Sequence, residues 1–169
     1  MERSIERGEH CIRASEHGPD FNQALLDQFI AARDRDDVRR THFFNERYEN
    51  IYLEDHHAPL LDELRREAKR LAEEILGQAV TRMGSWFNAM GPGAETTLHS
   101  HDEDDERLSG VYYVRVPENS GKLIIHRGTQ RIYHAPQEGQ WVFFAPETPH
   151  AVGLNRSEEL RLSVAFNFS

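Results

Sequence analysis

The chain has 169 residues, enough for one domain and too few for two. Hydrophobic residues make up 38% and charged residues 29%, so a core can form beneath a polar surface. Lys and Arg number 20 against 29 Asp and Glu, a formal net charge of -9. That balance argues against a nucleic-acid or anionic-membrane partner, since both would be repelled at long range.

The single cysteine, Cys11, excludes an intramolecular disulfide and fits a reducing compartment. No apolar run approaches the roughly 18 residues a membrane span requires, and the opening residues lack the apolar segment of a secretory signal. The expectation is a cytoplasmic protein without membrane contact. A homodimer is left open.

The predicted elements change character near residue 80. Before it, Asp20-Phe21-Asn22-Gln23 has the form of a helix start, with Asp20 as N-cap and Gln23 three residues on. Leu25, Leu26, Phe29 and Ile30 then recur at helical spacing. Residues 42–53 read as irregular or extended. A second helix is expected from about Pro59 to Leu76, with Leu60, Leu64, Ala68, Leu71 and Ile75 as its apolar stripe and Gly77 as its stop. His56 and His57 lie beside its start and are candidates for capping.

From residue 79 onward, short β-type segments alternate with turn signals. The segments are AVTRMGSWFNAM, TTLHSH, LSGVYYVRV, GKLIIH, RIYHA, QWVFFA, HAVGLN and LRLSVAFNF. About eight strands in roughly ninety residues, packed by two helices, predict a small β-sandwich or jelly roll. The organisation expected is a single unit over 1–169, with 1–78 as helical buttress and N-terminal segment and 79–169 as the β core. Trp86 and Trp141 read as core.

Ten histidines are unusual for this length, and three of them carry the chemistry. In a strand, residues i and i+2 share a face, so His99 and His101 can both reach one ion. His150 follows the apolar segment WVFFA in a proline-flanked loop and is the third candidate. Taken alone, the HxH pair is a weak signal. Eleven residues after His150, Arg161 and Ser163 fall on the polar face of the last strand, opposite Leu160, Leu162, Val164, Phe166 and Phe168. If the apolar face turns to the helices, Arg161 points into the barrel, where a guanidinium needs an anion and favours a carboxylate.

Together these residues resemble the Fe(II)/2-oxoglutarate-dependent dioxygenases, whose fold is a double-stranded β-helix. Asn88 through His101 (NAMGPGAETTLHSH) is similar to the run before the metal motif in the alkylation-repair branch. The ordered set HxH, Ser109-Gly110-Val111-Tyr112-Tyr113, Pro136–Gly139, Phe144-Ala145-Pro146 and Arg161–Asn167 resembles a bacterial and phage family of such oxygenases. The likeness covers about residues 80–169. It implies a mainly β fold with packing helices, a double-stranded β-helix (jelly roll, cupin-like) with two N-terminal α-helices. It further implies Fe(II) on His99, His101 and His150, with 2-oxoglutarate as cosubstrate. Its far carboxylate would rest on Arg161 and Ser163, with Asn88 and either Tyr112 or Tyr113, preferably Tyr113, assisting. O2 and a small-molecule or peptide substrate complete the set, and hydroxylation is the default outcome.

One departure is His101, which stands where most of the superfamily has a carboxylate. Asp102 or Glu103 from the following acidic run is the alternative ligand. A rival reading is a cupin, in which Glu106 is a fourth ligand and Arg161 is incidental. That protein would be a metal-dependent isomerase or dioxygenase without 2-oxoglutarate, or a noncatalytic metal-binding sensor module. His126 and His134 stay outside either scheme.

Overall fold

A computed structural model describes residues 5–101 and 105–169. Among these, the first strands are β1 (His10–Ala14), β2 (Arg39–Phe44) and β3 (Arg47–Tyr52), with helices α1 (Pro19–Ala32) and α2 (Leu61–Leu76). Eight strands follow: β4 (Met83–Met90), β5 (Thr96–His99), β6 (Leu108–Arg115), β7 (Leu123–Arg127), β8 (Gln130–His134), β9 (Gln140–Phe144), β10 (His150–Val152) and β11 (Arg161–Phe168). Six of these eight fall within a segment that the alternation pattern marks as strand, and β7 and β8 overlap theirs with one residue, Arg127 or Gln130, outside.

All pairings are antiparallel and build two sheets. The larger runs β1-β9-β6-β11-β4-β3-β2 and the smaller β5-β10-β7-β8. From β4 onward the chain repeatedly crosses between sheets, which places the ends of β5 and β10 opposite the middle of the larger sheet.

The helices cover the outer face of the larger sheet. Leu25 and Phe29 of α1 and Leu64, Ala68 and Leu71 of α2 pack with Phe87, Tyr112, Leu162, Val164, Phe166 and Phe168. Each buried Leu or Phe contributes about 1.5–3 kcal/mol of transfer free energy. Because β11 alternates strictly, fixing its even-numbered apolar residues under the helices turns Arg161, Ser163, Ala165 and Asn167 to the inner face. A second apolar cluster, with Tyr113, Leu123, Ile125, Val142 and Phe144, lies on that inner side.

Several expectations are corrected. α1 begins at Pro19 with Gly18 as N-cap and no side-chain cap, so Asp20 sits inside the first turn. There its carboxylate favours the positive end of the helix dipole. α2 begins at Leu61, leaving Pro59 outside the helix; it ends at Gly77 with φ 64°, a left-handed cap suited to glycine. Residues 42–53, read as irregular or extended, are largely extended, and with residues 39–41 they form the hairpin β2–β3. Its turn places Asn45 and Glu46 at φ 49° and 61°, the geometry that hairpins with two-residue turns favour. The segment before residue 79 is therefore not purely helical, since it adds three strands to the larger sheet. No helix among the described residues is long and apolar enough to cross a membrane.

Candidate functional site

Between the sheets lies a cavity of about 480 Å³. Its floor is laid out by strand register as successive rows. Arg161 stands opposite Met90, then Ser163 opposite Asn88 and Tyr113, then Ala165 opposite Trp86 and Val111, then Asn167 opposite Gly84 and Ser109. Arg161, Ser163, Asn88, Tyr113, Trp86, Ser109 and Asn167 all line the cavity.

The three histidines overhang this floor from the smaller sheet. His150 pairs directly with His99 across the β10–β5 ladder, and His101 follows two residues after His99. Their ligand nitrogens lie within 4.8 Å of one another. Ring centroids are 4.2 Å apart for His99 and His150, 5.3 Å for His99 and His101, and 5.6 Å for His101 and His150. The His101 amide donates to the Pro146 carbonyl at 2.8 Å, tying the end of β5 to the proline-flanked loop before His150.

Hydrogen bonds set the tautomers of two rings. His99 Nδ1 lies 2.7 Å from the Thr97 carbonyl, and His150 Nδ1 lies 2.9 Å from the Thr148 carbonyl. A carbonyl only accepts, so both Nδ1 atoms carry the proton and both Nε2 lone pairs are left for a metal. Burial and the neighbouring His99 hold His150 neutral, its pKa lowered to about 3. Three convergent imidazoles form a nitrogen set suited to Fe, Zn, Cu or Ni.

A second group, Asp37, His56 and His57, also brings ligand atoms within 4.8 Å. There His57 Nδ1 accepts the Glu54 amide at 3.0 Å, so Nε2 bears the proton and faces Asp37 Oδ2 at 3.0 Å. That tautomer leaves Nε2 no lone pair for a metal, and Nε2 sits in contact with Asp37 without a well-formed hydrogen bond. His57 thus braces the segment before α2 through Glu54 and does not cap the helix.

Arg161 is 1% exposed. Its Nη1 meets the Met90 sulfur at 3.8 Å, while Nε and Nη2 have no hydrogen-bond partner. Burial pushes its pKa down, opposed by Tyr113, whose own hydroxyl is pushed up by burial. A buried cation with two unmade hydrogen bonds is costly to the isolated protein and suits an anionic ligand. Tyr112, the other member of the pair, faces away and donates to Asn22 of α1; burial raises its pKa to about 12.

Asn88 Nδ2 donates to Thr96 Oγ1 at 2.9 Å, and Asn88 Oδ1 accepts from Arg47 Nη1 at 3.2 Å. Sequence reasoning missed Arg47. From β3 it also bonds the carbonyls of Ala89 at 3.1 Å and Glu95 at 2.7 Å, fastening the hairpin to the cavity wall. Nothing local in the sequence marks it, because its hydrogen-bond partners lie 41 to 49 residues away. Trp86 is also corrected: it is only partly buried and lines the cavity, 5.5 Å from His101, whereas Trp141 is fully buried core.

Asp102 and Glu103 lie outside the described residues. Glu106 lines the cavity but does not join the mutually close ligand atoms of the three histidines. His134 bonds Gln140 at 2.8 Å, and neither it nor His126 lines the cavity.

No family model matches the chain, and no curated protein matches it. Solved structures do. A Pseudomonas putida prolyl-4-hydroxylase superposes with TM-score 0.74 at 21% identity, covering 94% of this chain and 91% of that one. A Trichoplax adhaerens prolyl hydroxylase, in complex with a peptide fragment of a hypoxia-inducible factor, gives 0.76 at 15% identity, covering 94% and 82%. SnoK, a non-heme α-ketoglutarate-dependent carbocyclase from nogalamycin biosynthesis, gives 0.78 at 14% identity, covering 96% and 79%. What the chain shares with these solved structures is their fold.

Proposed function

We propose that the chain is an Fe(II)- and 2-oxoglutarate-dependent oxygenase built on a double-stranded β-helix. The observation that carries this reading is the joint presence, in one cavity, of three convergent imidazoles and a buried guanidinium lacking an anion. A cupin needs only the first. Four residues along β11, about 14 Å, separate the Arg161 row from the Trp86 row over which His101 hangs, leaving room for a small dicarboxylate between guanidinium and imidazoles.

In this reading His99, His101 and His150 hold Fe(II). Arg161 Nε and Nη2 take the far carboxylate of 2-oxoglutarate, with Ser163, Asn88 and Tyr113 bordering it. Bound iron and cosubstrate supply the oxidising chemistry: O2 is divided between 2-oxoglutarate, released as succinate and carbon dioxide, and a substrate C–H bond, which becomes C–OH. The protein's contribution is placement. Thr97 and Thr148 carbonyls orient two ligands, the buried strand floor fixes the guanidinium, and Leu123, Phe144 and Val152 limit water around it. Three neutral ligands leave the metal its full charge, which strengthens attraction for a dianionic cosubstrate.

The substrate is assigned to the small-molecule or peptide class, and the single partly buried Cys11 fits a cytoplasmic setting. Arg161→Ala tests the reading: 2-oxoglutarate affinity falls at least about a hundredfold, as expected on losing a buried charged contact, while metal still binds. Unchanged cosubstrate affinity would move the assignment to the cupin reading.

A further inference from the structure

The strand that carries His99 is thinly secured by its own sheet. β5 is four residues long, lies at the edge of the smaller sheet and has only β10 as a strand neighbour. That pairing is marked at two positions, Thr96 with Val152 and His99 with His150, and the register shifts between them. An edge strand with an interrupted ladder gains little positional definition from its neighbour. Yet a metal ligand has to be held to within about 0.5 Å for its lone pair to meet the ion.

Additional hold comes from the other sheet. Arg47 of β3 is largely buried, and its two terminal nitrogens reach different strands. Nη1 donates to the Asn88 amide oxygen at 3.2 Å and the Ala89 carbonyl at 3.1 Å, both on β4. Nη2 donates to the Glu95 carbonyl at 2.7 Å and to Thr96 Oγ1 at 3.2 Å, where β5 begins. The planar guanidinium is rigid, so it fixes the spacing between the two strands. Asn88 Nδ2 closes the triangle by donating to the same Thr96 hydroxyl at 2.9 Å. Glu49 lies 3.8 Å from Arg47 Nη2, and its carboxylate accepts from the Thr97 hydroxyl at 3.4 Å. The Thr97 carbonyl in turn holds His99 Nδ1 at 2.7 Å.

We infer that Arg47 is a positioning residue: by clamping the start of β5 to β4, it fixes His99 in place for the metal. The inference rests on the oxygenase reading for His99 as a metal ligand. An arginine that only stapled the hairpin to the barrel would contribute to stability alone. One that positions His99 also changes the surroundings of a bound metal, and a spectroscopic readout separates the two.

The test titrates the full chain with Co(II) in place of Fe(II), because the visible absorption of Co(II) reports the number and geometry of its ligands. Arg47→Met keeps the apolar stem and removes every donor. It should weaken Co(II) binding about tenfold or more, the usual cost of losing a group that orients a ligand, and should alter the absorption bands. Arg47→Lys should recover part of the loss, since an ammonium reaches one strand but does not fork between two. Arg107→Met is the control. Arg107 does not line the cavity, and its bonds to Gln78 and the Ala79 carbonyl are of the same kind, so its loss should leave affinity and bands unchanged. Should Arg47→Met fail to fold, Thr96→Val, nearly isosteric, removes the shared acceptor and should shift the same bands, whereas Thr96→Ser should not. Wild-type affinity and bands in Arg47→Met, or in Thr96→Val where that is the folded variant, overturn the inference and leave the oxygenase reading standing. Equal losses in Arg47→Met and Arg107→Met overturn it as well. A wild-type protein that takes up no Co(II) overturns the inference and that reading together.

Discussion

Tyr113 and Arg161 meet at the closed end of the cavity, the guanidinium carbon 5.4 Å from the centre of the phenol ring. Each is almost wholly buried, and each shifts the other: the cation favours the ionised phenol, while burial opposes it and prevails. The ring also packs beside Leu123 and Phe144 in the inner apolar cluster. Tyr113→Phe keeps that packing and removes only the hydroxyl. The expected result is a several-fold loss of 2-oxoglutarate affinity, about 1 kcal/mol, with unchanged thermal stability. Isothermal titration on the metal-loaded protein checks it.

The histidines differ from Glu106 in what their loss should do. His99→Ala and His150→Ala each remove one of three ligands and should abolish stoichiometric metal binding, measured by elemental analysis after dialysis. Glu106→Gln should retain one metal per chain. Loss of metal in Glu106→Gln alone would favour the four-ligand cupin arrangement.

Tyr112 gives a pH signature away from the cavity. Burial raises its folded pKa to about 12, above the unfolded value of 10. A neutral form favoured by folding gives stability that is present below pH 10 and lost as pH rises towards 12. Tyr112→Phe should cost about 1 kcal/mol near neutrality, through the lost bond to Asn22. The gap between wild type and variant should narrow between pH 10 and 12, in paired thermal or urea melts. A gap that widens would contradict the assignment.

Gly110, the second residue of SGVYY, explains one motif by space alone. A Cβ there would lie 2.9 Å from two ring atoms of Phe143 and 3.3 Å from Phe168. Gly110→Ala should therefore destabilise by about 1–3 kcal/mol through overpacking, seen as a lowered urea midpoint. Gly110→Ala combined with Phe143→Leu should recover part of that loss.

The sequence carried the β half well because its signal is local. Alternation along β11 alone separates Leu162, Val164, Phe166 and Phe168 from Arg161 and Ser163, and the helices then fix which face turns inward. HxH spacing likewise needs no partner to be noticed. What escaped was long-range or lacked its usual marker. The β2–β3 turn uses Asn45-Glu46 rather than Asn-Gly, so the hairpin gave no turn signal. β1 is an edge strand defined by its pairing with β9, which no local pattern announces. Arg47 resembles any surface arginine until the register of β3 against β4 brings it to Asn88. Trp86 looked like core because its size suggests it, yet its odd-even phase against Phe87 places it on the cavity side.

The most direct measurement is a crystal structure with Mn(II) in place of iron and 2-oxoglutarate soaked in anaerobically. The account predicts one metal held by nitrogen atoms of His99, His101 and His150, and a carboxylate on the Nε and Nη2 atoms of Arg161. A metal that recruits Glu106 in place of one histidine, or an Arg161 guanidinium that remains without an anion while 2-oxoglutarate binds elsewhere, would contradict it.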